Sequence, residues 1–144
     1  MNSEPLIVER TYDASVGKVW KAITDLAQMR QWYFDLSAFR PEVGFEFQFT
    51  GESDCKSYIH HCRVTAVIPE RKISYTWKYE GFEGNSEVSW ELFPEGDKTR
   101  LVLTHTGLES FPDKPDFAVS SFTDGWNHIL GKSLKEYVEN IAVS

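Results

Sequence analysis

The chain reads as an α+β domain in which a curved antiparallel sheet of six or seven strands wraps around one long carboxy-terminal helix. Three observations predict it. From Ser121 to Ile141, the residues Phe122, Trp126, Ile129, Leu130, Leu134, Val138 and Ile141 recur at helical spacing and draw one apolar stripe along the segment. Nearly everything between Phe45 and Thr106 alternates apolar with polar residues, as half-buried strands do. Short turns bearing proline or glycine separate those runs, so the strands form a meander with one packed face and one wet face.

Taken in order, Leu6 to Tyr12 is the first strand, with Leu6, Val8 and Tyr12 on one face and Arg10 the odd residue among them. Asp13-Ala14-Ser15 offers a helix cap, and Val16, Val19, Trp20 and Ile23 follow at helical spacing. A second short helical patch places Met29, Trp32 and Tyr33 on one side, and Asp35 to Arg40 reads as a short strand. After the Pro41–Gly44 turn, Phe45, Phe47 and Phe49 share a face. Tyr58, His60, Cys62, Val64, Ala66 and Ile68 then alternate against Ile59, His61, Arg63, Thr65 and Val67. Ile73, Tyr75, Trp77 and Tyr79 form the next apolar face, followed by Val88, Trp90 and Leu92, then by Leu101, Leu103 and His105. Gly107 to Ser120 is irregular, and Ser120 or Ser121 is placed to cap the last helix. Gly125 and Gly131 each cost that helix about 1 kcal/mol relative to alanine, and close approach of a neighbour is the expected reason.

The 144 residues make one domain, residues 1–144, with no repeat or internal boundary. Aromatic residues make up 15%, enough to fill a core or line a cavity. A net charge of −7 argues against nucleic acid and anionic membrane as main partners. No apolar run approaches the length of a membrane span, and the first residues lack the basic and apolar regions of a signal peptide. Cys55 and Cys62 fit neither a metal-binding pair nor a disulfide framework, so free thiols in a reducing cytoplasm are expected.

Three stretches carry a family likeness. The first runs from Ala14 to Asp25 (ASVGKVWKAITD) with Gln31-Trp32-Tyr33 after it. The second joins Pro69 to Trp77 (PERKISYTW) with Thr99 to Gly107 (TRLVLTHTG). The third is Gly125-Trp126, then Leu130, Leu134 and Tyr137-Val138-Glu139. Spanning essentially the whole chain, these resemble the homologues of the activator of heat shock protein 90 ATPase, within the helix-grip superfamily of START domains and birch-pollen allergens. The resemblance implies the helix-grip fold. It also implies a superfamily of lipid carriers, hormone receptors, polyketide cyclases and co-chaperones, so fold likeness by itself selects no chemistry.

The residues offer their own candidates. His60 and His105 both fall on the apolar faces of their strands, either as polar handles in a cavity or as satisfied core histidines. Tyr58, Tyr75, Trp77, Tyr79 and Trp90 are either a pocket wall or sheet packing. Glu83, Glu87 and Glu91 read as a solvated outer face. The sequence contains no metal-ligand spacing, nucleophile elbow, phosphate loop or dinucleotide fingerprint, so neither metal nor cofactor is expected.

The leading expectation is a cytoplasmic module, monomeric or weakly dimeric. It holds an apolar or aromatic small molecule between sheet and carboxy-terminal helix, against Phe47, Tyr58, His60, Tyr75, Trp77, Trp90, His105 and Trp126. Two alternatives stay open: a chaperone-binding interaction domain, and a cyclase or dehydratase using His60 or His105 as general acid or base.

Overall fold

The computed structural model describes residues 5–33, 38–53, 56–82, 84–111 and 119–139. Among these residues, six strands form one antiparallel sheet in the order β1-β6-β5-β4-β3-β2. They are β1 (Leu6–Tyr12), β2 (Glu46–Ser53), β3 (Lys56–Ile68), β4 (Lys72–Tyr79), β5 (Ser86–Glu95) and β6 (Lys98–Thr106). Two short helices, α1 (Val16–Thr24) and α2 (Leu26–Trp32), follow the first strand. At the other end α3 (Val119–His128) runs into a π-helical stretch (Ile129–Leu134) and then α4 (Lys135–Val138).

Local chemistry sets the first boundaries. Ser15 caps α1, its side chain accepting from the Lys18 amide, and Asp25 caps α2 by accepting from Gln28. Trp32 closes the pair, donating its indole hydrogen to the Ala22 carbonyl at 2.8 Å. Tyr33 and Trp90 pack against its ring, with centroids 5.1 and 6.3 Å away. Residues 35–37 of the expected strand at Asp35–Arg40 lie outside the described residues, and 38–40 have no regular structure.

Alternation holds along β1, β5 and β6, whose inward residues are buried almost without exception. It breaks in β3. A register shift between Val64 and Ala66 inserts a bulge, and a bulge reverses which side each later residue faces. Val67 therefore packs against the core, and Ile68, expected inside, is 54% exposed. In β4, Ser74 falls between the apolar residues Ile73 and Tyr75, where alternation points it to water. It is buried to 2% exposure, where its hydroxyl donates to Ser89 at 2.9 Å.

The carboxy-terminal helix differs most from the periodic reading. Ser120 and Ser121 lie inside α3 rather than at its cap. The buried stripe is Phe122, Trp126, Leu130, Leu134 and Val138, with Ile129 only half-buried and Ile141 outside the described residues. Each step in that stripe is four residues, and an α-helix drifts by roughly 40° over such a step. The wider π turn takes back part of the drift and keeps the stripe on the sheet. It also loosens the backbone pairing, and the Tyr12 hydroxyl donates to the Leu130 carbonyl there at 2.7 Å.

Arg10 explains one glycine and not the other. Its guanidinium reaches across from β1 to the helix, donating to Asn127 at 2.6 Å and to the Glu9 carbonyl at 2.7 Å. A Cβ built on Gly131 would lie 3.2 Å from Arg10 Nε, whereas one on Gly125 meets nothing within 4 Å. Close approach is thus the reason for Gly131, and it does not hold for Gly125. Gly131→Ala should be tolerated after a small shift of the arginine. Gly131→Leu should displace the guanidinium and lower stability by about 1–3 kcal/mol, as overpacking does. Equal urea midpoints for the two variants would remove this account.

Candidate functional site

The eight candidate residues lie along the concave side of the sheet, where alternation and register put them. Phe47 comes from β2, Tyr58 and His60 from β3, Tyr75 and Trp77 from β4, Trp90 from β5, His105 from β6 and Trp126 from α3. Seven are buried, and Tyr58 is half-buried. They divide into two neighbouring clusters and a rim.

The first cluster is built on Tyr75. Its hydroxyl accepts from the Trp90 indole at 3.0 Å and lies 3.0 Å from the hydroxyl of Tyr33. Phe47 stands edge-on to the Tyr75 ring, with centroids 5.1 Å apart. Burial pushes the Tyr75 and Tyr33 phenols above their ordinary range, so both remain protonated through neutral pH. Cys62, paired with Phe47 across the strands, is a buried free thiol whose pKa burial also raises. Cys55 lies outside the described residues.

The second cluster surrounds Trp77. His60 packs on this ring at 4.8 Å, His105 at 5.6 Å and Trp126 at 5.3 Å. The Trp77 indole hydrogen goes to the Tyr79 hydroxyl at 2.9 Å. Trp90 and Trp126, 5.7 Å apart, join the two clusters. Tyr58 stands at the rim against Tyr79 and Phe82.

The two histidines share Trp77 as a neighbour, and their polar contacts go elsewhere. His60 stacks on Phe49, its partner across β2 and β3, and donates from Nδ1 to the Tyr58 carbonyl at 3.0 Å. Burial pushes its pKa down to about 4. For His105, the Trp126 indole is 3.1 Å from Nδ1, and an indole N–H can only donate. Nδ1 is therefore the acceptor, and the neutral ring carries its hydrogen on Nε2. That hydrogen goes to Ser86 Oγ at 2.8 Å, whose own hydrogen goes to the Trp77 carbonyl at 2.8 Å. Burial pushes the His105 pKa down to about 3.

This tautomer decides what the Ser86–His105 pair can do. A serine nucleophile needs a base that accepts its proton. Here the imidazole donates and the serine accepts, so the pair is a structural hydrogen-bond relay. Among the described residues, every buried side-chain nitrogen and oxygen has a partner.

Several residues of the same surface were not among the candidates. Phe49 sits in the alternating run that supplied its neighbour Phe47, and Phe122 sits in the helix stripe, so periodicity already placed them. Tyr33 follows α2, and no strand pattern could have placed its hydroxyl against Tyr75.

A groove of about 610 Å³ is lined by the outward residues Gln48, His61, Arg63, Thr76 and Lys78 of β2, β3 and β4 together with Ala38, Phe47 and Cys62. His61 faces outward as expected and pairs with Glu80 at 3.0 Å. Glu87 is also on that side, accepting from Thr65, whereas Glu83 lies outside the described residues. Among the described residues no group of three or more His, Cys, Asp or Glu could hold a metal, and no helix is long and apolar enough to cross a membrane.

Comparison with known proteins agrees with this architecture. No curated protein matches the sequence at a significant level. Among solved structures, CalU16 from Micromonospora echinospora is 27% identical with a TM-score of 0.73, covering 94% of this chain and 74% of its own. Protein MLL2253 from Mesorhizobium loti is 25% identical with a TM-score of 0.77, covering 94% of this chain and 97% of its own. DynU16, from the dynemicin biosynthetic locus, is 24% identical with a TM-score of 0.79 and covers 96% of this chain; the chain spans about half (48%) of DynU16. The model of the family described as Activator of Hsp90 ATPase homolog 1-like protein matches residues 13–139. With that match over most of its length, and a six-stranded sheet gripping a carboxy-terminal helix, the chain belongs to this family and has the helix-grip fold of the START-like superfamily.

Proposed function

We propose that this domain binds an apolar, ring-containing small molecule between the sheet and the carboxy-terminal helix. The observation that supports it is the lining. Phe47, His60, Tyr75, Trp77, Trp90, His105 and Trp126 give one buried surface a large apolar area and a few neutral polar tips. In the described structure these rings touch one another, at centroid separations of 4.8–5.7 Å for the pairs Phe47–Tyr75, His60–Trp77 and Trp90–Trp126. A ligand therefore enters by parting rings, and that reorganisation subtracts from its affinity. Burying about 200 Å² of ligand at about 25 cal/mol per Å² supplies roughly 5 kcal/mol before those costs. A dissociation constant of a few tenths of a millimolar at best is the corresponding expectation.

The other readings have less support. As general bases at neutral pH, His60 and His105 would be weak, because both pKa values lie far below 7. For an interaction domain the relevant feature would be an apolar outer patch. Among the described residues, the exposed large apolar ones, Ile7, Val43 and Ile68, lie on separate elements: β1, the turn before β2 and the end of β3.

Two measurements test the proposal. Native mass spectrometry of the protein mixed with a panel of naphthalene derivatives should reveal one-to-one complexes, and the same compounds should quench tryptophan fluorescence with sub-millimolar dissociation constants. Tyr75→Ala and His60→Ala should weaken binding about tenfold or more, as the loss of a buried polar partner and its packing does. His61→Ala, on the other face, should change nothing. No complex by mass spectrometry, and no panel member bound below about 1 mM, a binding energy of about 4 kcal/mol, would overturn it.

A further inference from the structure

We infer that the polar end of the ligand is an uncharged hydroxyl or carbonyl, seated on Tyr75 in the place now taken by the hydroxyl of Tyr33. This rests on the binding site proposed above and names the chemical class it selects.

The first ground is the charge inventory. The buried polar residues among the described ones are Thr24, His60, Ser74, Ser86, Thr99 and His105, with no Asp, Glu, Lys or Arg. A carboxylate or ammonium carried between these rings would lose its hydration and find no counter-charge, which is the costliest kind of burial. The cation that does face inward from the sheet, Arg10, is half-buried at the seam between β1 and the helix. Its hydrogen bonds go to Asn127 and the Glu9 carbonyl. It is committed to holding the helix.

The second ground is the seat itself. The Tyr75 hydroxyl accepts from Trp90, and it keeps its own hydrogen and a second lone pair for the group opposite. It can therefore meet either an acceptor or a donor, which suits a carbonyl or a hydroxyl equally. The group now opposite is a phenol. Tyr33 lies between Trp32, Phe49 and Trp90 at centroid distances of 5.1, 5.9 and 5.9 Å. A neutral hydroxylated ring is thus already accommodated there, from inside the chain. Tyr33 is also the residue at which α2 ends, and it belongs to no strand, so it is the ring a ligand displaces with least disruption of the sheet. Trp126 and Trp77 offer no comparable seat, because their indole hydrogens are committed to His105 and Tyr79 inside the core.

The test uses three probes of equal ring size: 2-naphthol, 2-naphthoate and 2-methylnaphthalene, titrated at neutral pH by tryptophan fluorescence and calorimetry. The full chain should bind 2-naphthol at least about tenfold more tightly than 2-naphthoate, with 2-methylnaphthalene between them. Tyr75→Phe should lower 2-naphthol affinity about tenfold and leave 2-methylnaphthalene unchanged, a pattern that general loosening of the site would not produce. Tyr33→Phe, which removes the competing hydroxyl but keeps the ring, should strengthen 2-naphthol binding severalfold. Naphthoate binding as well as naphthol, or Tyr75→Phe leaving their ratio unchanged, would overturn the inference and leave the binding site standing. If none of the three binds, the binding site itself is refuted and the inference goes with it.

Discussion

Trp126→Ala should lower stability by about 3–5 kcal/mol, enough to unfold a domain of ordinary stability near physiological temperature. The indole is 2% exposed and packs against Trp77, Trp90 and His105, so its removal leaves a cavity at the meeting point of the two aromatic clusters. It also leaves His105 Nδ1 buried without its donor. The two losses can be separated. Trp126→Phe keeps much of the apolar volume and removes only the N–H, and its cost should be smaller, about 1–3 kcal/mol from the orphaned acceptor together with the volume lost. Urea denaturation with an unchanged m-value checks both. A loss below about 1 kcal/mol for the alanine variant would mean that α3 is not anchored through this ring.

Stability should also fall steeply on mild acidification, and the two buried histidines set the window. Their folded pKa values, about 4 for His60 and about 3 for His105, lie below the ordinary value of 6.5 that the unfolded chain recovers. Below pH 6.5 the unfolded state binds protons that the native state refuses, so the sign is a loss of stability as pH drops. The contribution is fully present above 6.5. It is lost progressively down to about 4 for His60 and about 3 for His105. At pH 5 each histidine accounts for about 2 kcal/mol, and unfolding there takes up nearly two protons. Urea midpoints measured from pH 7 to pH 5 should follow that slope, and His60→Phe, which preserves the stack on Phe49, should roughly halve it. The imidazole signals of His60 and His105 should not titrate above pH 5, and nitrogen shifts should report His105 protonated at Nε2. Normal titration of both rings, with flat stability over this range, would contradict their burial.

Much of this molecule was determined by local sequence. Period-two alternation is enough to place β1, β5 and β6 and to aim Tyr75, Trp77, Trp90, His60 and His105 at the helix, because a strand's side chains point by parity alone. Ser15 and Asp25 carry their caps in their own side chains. Arg10 stands out by its charge alone from the apolar face of Leu6, Val8 and Tyr12.

Other features depended on what pairing brings together. The bulge after Val64 arises from the match between β3 and β4, and it reversed Val67 and Ile68 against a pattern that continued unbroken along the chain. The Tyr12 hydroxyl on the Leu130 carbonyl of the π turn, and the reason for Gly131 but not Gly125, depend on residues that the first strand brings to the helix. His105 shows the division most plainly. Alternation put it inside, but its role rests on Ser86 and Trp126, 19 and 21 residues away in sequence. One supplies an acceptor and the other a donor, and together they fix the tautomer and turn a serine–histidine contact into a structural relay. Parity along a strand is a local property, whereas the identity of a hydrogen-bond partner belongs to the packed sheet and helix.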